Sequence, residues 1–93
     1  MSSSVVDNQE KSRFELEVTD GHAIADYRLE GGTIVMTHTE VPGELRGQGF
    51  GEKLARGALD LVRKRGLKVV PRCPFIRKFI EKHAEYADLL ANE

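Results

Sequence analysis

The apolar residues of this chain change their spacing once, shortly after Val41, and that change limits the fold more than any other feature. Before it, apolar side chains recur at every second position. FELEVTD alternates Phe14, Leu16 and Val18 with Glu15, Glu17 and Thr19, as a strand with one buried face does. HAIADYRLE continues with Ala23, Ala25, Tyr27 and Leu29, Gly31-Gly32 supplies a two-residue turn, and the β-branched run TIVMTHTEV reads as a third strand. Three such strands with short connections make an antiparallel meander.

Beyond the loop PGELRGQG the period becomes helical, because Phe50, Leu54, Ala58, Leu61 and Val62 fall along one helix face. The basic run RKR and then Gly66 suit a helix end. LKVVP is short, β-branched and bounded by Gly66 and Pro71, so it reads as a buried strand that crosses over to lie parallel to the third. PFIRKFIEKHA puts Phe75, Ile76, Phe79, Ile80 and His83 on a second helical stripe, and YADLL adds a last apolar anchor. The expected class is α/β (α+β), with a mixed sheet and the order β-β-β-α-β-α.

A chain of 93 residues supports one core, so a second domain is excluded. Residues 1–12 are polar, carry three consecutive serines and show no sustained period; they are expected to form a flexible tail ahead of a domain over 13–93. The N-terminal dozen lacks the apolar stretch of a secretory signal, and no long apolar run suggests a membrane span, so the expected location is cytoplasmic. One cysteine, Cys73, allows no internal disulfide, and no zinc-ligand spacing is present, so no metal is expected.

Charge is divided along the chain. Between Glu44 and Lys82 stand eleven Lys or Arg and four acids, whereas the remainder holds three bases and eleven acids. The second half therefore suits an anion, unless its cations only solvate helix faces. A nucleic-acid surface at RKRGLK is disfavoured by the absence of Trp, the 6% aromatic content and the acids elsewhere.

An anion site is suggested most directly by RGQGFG, Arg46 to Gly51, whose three glycines stand at the mouth of the first helix. A helix N-terminus presents free N–H groups and a partial positive charge, and glycine lets an anion approach. A plain loop-to-helix turn is the alternative. The dinucleotide fingerprint fails at Glu52, and a P-loop fails because Gly51 is followed by Glu52 rather than by Lys and Ser or Thr.

What remains, Arg46-x-x-Gly49-x-Gly51 after a strand and before a helix, resembles the Gln/Arg-x-x-Gly-x-Gly/Ala loop of the GNAT superfamily of acetyl-CoA-dependent N-acetyltransferases. The run HTEVPGELRGQGFGEKLARGALDLVRKRGLKVVPRCPF is similar to the minimal GNAT-like family of short single-domain proteins, including its Cys-Pro-Phe after the strand. The resemblance covers Phe14 to Leu90. It implies that N–H groups of Gly47, Gln48, Gly49, Phe50 and Gly51 cradle the pyrophosphate of coenzyme A, with Arg46 adding charge. It also implies that Val41 offers backbone bonds to the pantetheine arm where two strands part, with the thioester between the strand ends.

Cys73 precedes Pro74, which favours a first helical position, so Cys73 is the expected N-cap. A thiol there feels the positive helix end, with Arg72 beside it, and both favour its nucleophilic form. The family geometry puts this position near the thioester, so acetyl transfer by way of Cys73 stands beside direct attack by an amine whose proton a base removes. His38 and Glu40, two apart on the third strand, share a face opposite Thr37, Thr39 and Val41, and either is a candidate base. For Cys73 the plain alternative is a small buried hydrophobe; for His38 and Glu40 it is a solvent-facing or sheet-bonded side chain.

The chain departs from larger family members in two ways. It lacks the N-terminal helices that shape their acceptor site, which implies an open site here, and Phe75 and Phe79 stand on the helix where they commonly carry a tyrosine acid. Tyr86 and His83 read as packing residues. Arg77, Lys78 and Lys82 either solvate the last helix or bring one cation to the 3′-phosphate of the coenzyme. The resemblance implies acetyl transfer to an unidentified amine, protein or small molecule. The alternatives are a non-catalytic acyl-CoA sensor or adaptor, and an interaction domain whose glycines serve a turn. The expected state is a monomer or a weak dimer, the latter allowed by exposed sheet edges.

Overall fold

The computed structural model describes residues 5–18, 21–43, 47 and 49–91. Its sheet has five strands in chain order. β1 (Val5–Asn8), β2 (Arg13–Val18), β3 (Gly21–Glu30) and β4 (Thr33–Glu40) pair antiparallel. Helix α1 (Phe50–Lys64) then crosses over, and β5 (Lys68–Pro71) joins β4 in parallel, followed by α2 (Pro74–Lys82) and a 3-10 helix over Ala84–Leu89. The mixed sheet and the expected class agree.

The tail expected over residues 1–12 is corrected by β1. Val5 is buried opposite Leu16, and the Asp7 carboxylate accepts the Tyr27 hydroxyl while pairing with Arg65 at 2.6 Å. Four residues are too short to display a strand period, and the partners that hold them come from elsewhere in the chain. Residues 1–4 lie outside the described residues.

One hydrophobic cluster unites Phe14 and Leu16 of β2, Ala23, Ala25 and Tyr27 of β3, Ile34 and Met36 of β4 and Val69 of β5 with buried residues of both helices. Both helices therefore pack on the same sheet face. The opposite face is uncovered among the described residues and carries the ion pairs Arg13–Glu15 and Arg28–Glu30.

Helix α1 buries Leu54, Ala55, Ala58, Leu59 and Val62, whereas Phe50 and Leu61 are half-buried, so its inward stripe is rotated from the one read in the sequence. The helix ends as the sequence suggests: Leu67 N–H reaches Val62 O at 3.1 Å and Gly66 N–H reaches Arg63 O at 3.0 Å, which satisfies carbonyls of the last turn. At the far edge of β5, Leu90 bridges Val69 and Ala91 N–H donates to Val69 O at 2.9 Å, so the chain end covers that edge. Among the described residues no helix is long and apolar enough to cross a membrane.

Candidate functional site

The pairing of β4 with β5 ends at Met36 and Pro71. There the chain turns, Cys73 N–H donates to Met36 O at 3.0 Å, and α2 begins. From Thr37 onward β4 keeps β3 on one side and has no strand on the other among the described residues. A cavity of about 580 Å³ opens at this point, walled by Thr39 and Val41 of β4 and its extension, by Gly47, Gly49, Gly51 and Glu52, and by Phe75 of α2.

The glycines serve two different needs. Gly47 and Gly49 have φ of +84° and +83°, the left-handed region that other residues enter at a cost, and Gly49 is the N-cap of α1. Among the described residues nothing lies within 4 Å of where a Cβ on either would stand, so their backbone faces open space there. Gly51 accommodates a close approach instead: a Cβ there would lie 2.9 Å from the Cζ of Phe75, whose ring rests on the first turn of α1.

Which β4 side chains face the cavity is decided by a bulge. Tyr27 of β3 stands opposite Met36, but Ala25 stands opposite Thr39 and Asp26 opposite His38, so Thr37 is an extra residue on β4. Directly opposed residues share a face, and the core-facing set therefore switches from Ile34 and Met36 to Thr39. His38 and Glu40 consequently lie on the uncovered face, both exposed, with His38 Nε2 3.8 Å from Glu40 Oε1.

Cys73 is the N-cap of α2, as expected, with Pro74 at the first helical position. Its side chain is buried at 6% exposure, and Sγ lies 2.7 Å from Thr39 Oγ1 in a hydrogen bond that either atom can donate. Thr39 thus stands between the thiol and the cavity. Val41 lines the cavity and packs on the core, and Phe50 is half-buried against the core at the start of α1. Arg46 and Gln48 lie outside the described residues. Tyr86 is a packing residue: its ring lies 5.8 Å from that of Phe79, its hydroxyl donates to Asp60 at 2.7 Å, and burial together with that bond pushes its pKa up to about 12. The ring of His83 stacks 4.1 Å from Phe79 at the end of α2.

Three cavity residues escaped the sequence reading. Thr39 depends on a bulge with no sequence signature, and Phe75, placed only on the apolar helical stripe of α2, is 40% exposed at the cavity wall. Glu52 was noted only as the residue that breaks the phosphate fingerprints, although an acid in the first turn of a helix beside an anion site carries its own message.

A family model described as GCN5-related N-acetyl-transferase matches residues 13–89. Protein NATD1 of Mus musculus is 33% identical over 79 residues, 82% of this chain and 72% of that protein, and the Danio rerio protein of the same name is 30% identical over 86 residues, 87% and 78% of the two chains. The solution NMR structure of a GCN5-like protein from Staphylococcus aureus superposes with a TM-score of 0.72 at 28% identity, covering 100% of this chain and 93% of that one. With its match over nearly the whole sheet and both helices, this chain belongs to the GCN5-related N-acetyltransferase family.

Proposed function

We propose that the protein binds acetyl-CoA in the cavity at the end of the β4–β5 pairing and transfers the acetyl group to an amine. The observation that carries this reading is that Gly47, Gly49 and Gly51 line the same cavity as Thr39 and Val41 at the unpaired edge of β4. Open left-handed backbone and a helix N-terminus suit a diphosphate, so the residues present fit the coenzyme. N–H groups of Gly47, Gln48, Gly49, Phe50 and Gly51 would hold the pyrophosphate, with Arg46 supplying charge and Val41 backbone bonds to the pantetheine arm. The coenzyme supplies an activated acetyl group.

The chain supplies position and a proton acceptor. An ammonium ion must lose a proton before its nitrogen can attack, and the exposed His38–Glu40 pair would serve as that base for an amine approaching from the uncovered face. Direct transfer asks for no rearrangement of Cys73. A relay through Cys73 would require its thiol to leave Thr39 and turn into the cavity, so direct transfer is the primary route and Cys73 a residue that positions Thr39. A second reading, a coenzyme sensor without turnover, draws on the position of His38 and Glu40 away from the cavity wall.

Calorimetric titration with acetyl-CoA, with ATP as the control, tests the binding: saturation at micromolar levels that ATP does not match is expected. Turnover with a broad amine panel then separates the readings. Activity that persists in Cys73→Ala supports direct transfer, activity lost in that variant alone supports the relay, and binding without turnover in either protein supports the sensor.

A further inference from the structure

The stripe Phe75, Lys78, Phe79 and Lys82 runs along one side of α2 at i, i+3, i+4 and i+7. Between it and Glu52 lies a second cleft of about 100 Å³. This cleft shares Phe75 and Glu52 with the main cavity, so the two are continuous around the ring of Phe75.

The lysines here differ from the arginines of α1 and its C-cap. Arg56 pairs with Glu85, Arg63 with Asp88 and Arg65 with Asp7, so these arginines are neutralised within the fold. Lys78 and Lys82 have no carboxylate partner among the described residues, although they stand one helical turn apart and repel each other. Two unneutralised ammonium groups outnumber the single Glu52 carboxylate around this small cleft, which leaves it complementary to a compact anion. Beside them Phe75, at 40% exposure, offers a flat apolar face. A planar heteroaromatic base would stack on such a face.

We propose that the Lys78–Lys82 cleft holds the ribose 3′-phosphate of the coenzyme, with Phe75 as the stacking face for its base, so that the protein selects coenzyme A over nucleotides without that third phosphate. The inference rests on the reading of the main cavity as the coenzyme site. It fixes the direction of the bound molecule: pantetheine toward Thr39 and Val41, nucleoside toward α2. Of the three cations considered from sequence, it uses Lys78 and Lys82, which line the cleft, and not Arg77, which does not.

The test is calorimetric titration of the full chain, the Lys78→Ala/Lys82→Ala double variant and Arg77→Ala with coenzyme A and with 3′-dephospho-coenzyme A. The lysines are exposed, so the double variant retains the fold. The unaltered protein should bind coenzyme A about tenfold more tightly than the dephospho form, from charge-assisted bonds to one phosphate. That difference should vanish in the double variant through weaker binding of coenzyme A alone, and Arg77→Ala should keep it. Equal binding of both forms by the unaltered protein, or equal weakening of both in the double variant, overturns the subsite while leaving the coenzyme reading intact. Binding of neither form overturns both.

Discussion

Thr39 and Cys73 tie β4 to the start of α2 through a 2.7 Å side-chain hydrogen bond between Oγ1 and Sγ, beside the backbone bond from Cys73 to Met36. It is the side-chain link that closes the sheet side of the cavity where β5 has ended. Thr39→Val keeps the shape and removes the partner, leaving a buried thiol without it. A loss of about 1 kcal/mol is expected, read as a fall of roughly 4–8 °C in melting temperature for a domain of this size. An unchanged melting temperature would show that the thiol is as stable against a methyl group.

The N-terminal strand depends on Asp7, whose carboxylate takes the Tyr27 hydroxyl on one oxygen and Arg65 on the other. Only 10% of the Asp7 side chain is exposed, so removing Arg65 leaves a poorly solvated charge. Arg65→Ala is expected to cost about 2 kcal/mol in denaturant unfolding. Because β1 has a single neighbouring strand, its amides should exchange with solvent faster in this variant while those of β3 and β4 stay protected.

The parts of the fold legible in the sequence are those whose cause is local and periodic. The alternation of Phe14, Leu16 and Val18, the stop at Gly66 and the N-cap position of Cys73 each follow from a few neighbouring residues, and the structure has each of them. What escaped depends on residues far apart. β1 is held by Tyr27 and Arg65, the inward position of Thr39 by a bulge opposite Asp26 and Tyr27, and the seat of the Phe75 ring by a glycine on another helix. The glycine loop was legible as a motif, but the division of labour within it, left-handed backbone at Gly47 and Gly49 and close approach at Gly51, needs the ring of Phe75 in place.

Alkali should loosen the fold before it unfolds completely. Burial first, and then the bond to Asp7, push Tyr27 from its ordinary 10.0 up to about 12, and burial with Asp60 does the same for Tyr86. A raised folded-state pKa means that the native protein holds the proton more tightly than the unfolded chain. The resulting stability is complete below the ordinary tyrosine value and is lost as pH rises through about 12. Denaturant midpoints should therefore fall steeply above about pH 10, and Tyr27→Phe combined with Tyr86→Phe should flatten that fall. An equally steep fall in the double variant would assign it to other groups.

Gly51→Ala separates stability from binding. Alanine in a helix is favoured over glycine by about 0.5–1 kcal/mol, and the atom in the way is the far end of a ring that is already 40% exposed and able to swing aside. The melting temperature should therefore change by no more than a few degrees. The displaced ring, however, no longer forms the wall between the two clefts, and coenzyme affinity should drop about fivefold or more. Undiminished affinity would mean that Phe75 is a bystander at the cavity wall.

Glu52 sets the two demands against each other. Its carboxylate stands in the first turn of α1, where it stabilises the free helix end, and borders both clefts, where it repels an anionic ligand. Glu52→Gln should lower the melting temperature of the free protein by roughly 2–4 °C and tighten coenzyme binding about threefold at low salt. The gain in affinity should shrink as ionic strength rises, because an exposed charge is screened. Acetyl-CoA titrations at two salt concentrations, paired with thermal unfolding of the free protein, measure both halves. If affinity does not rise, the bound anion lies on the far side of the loop from Glu52, and the cavity shared by Glu52 and the glycines is not its seat.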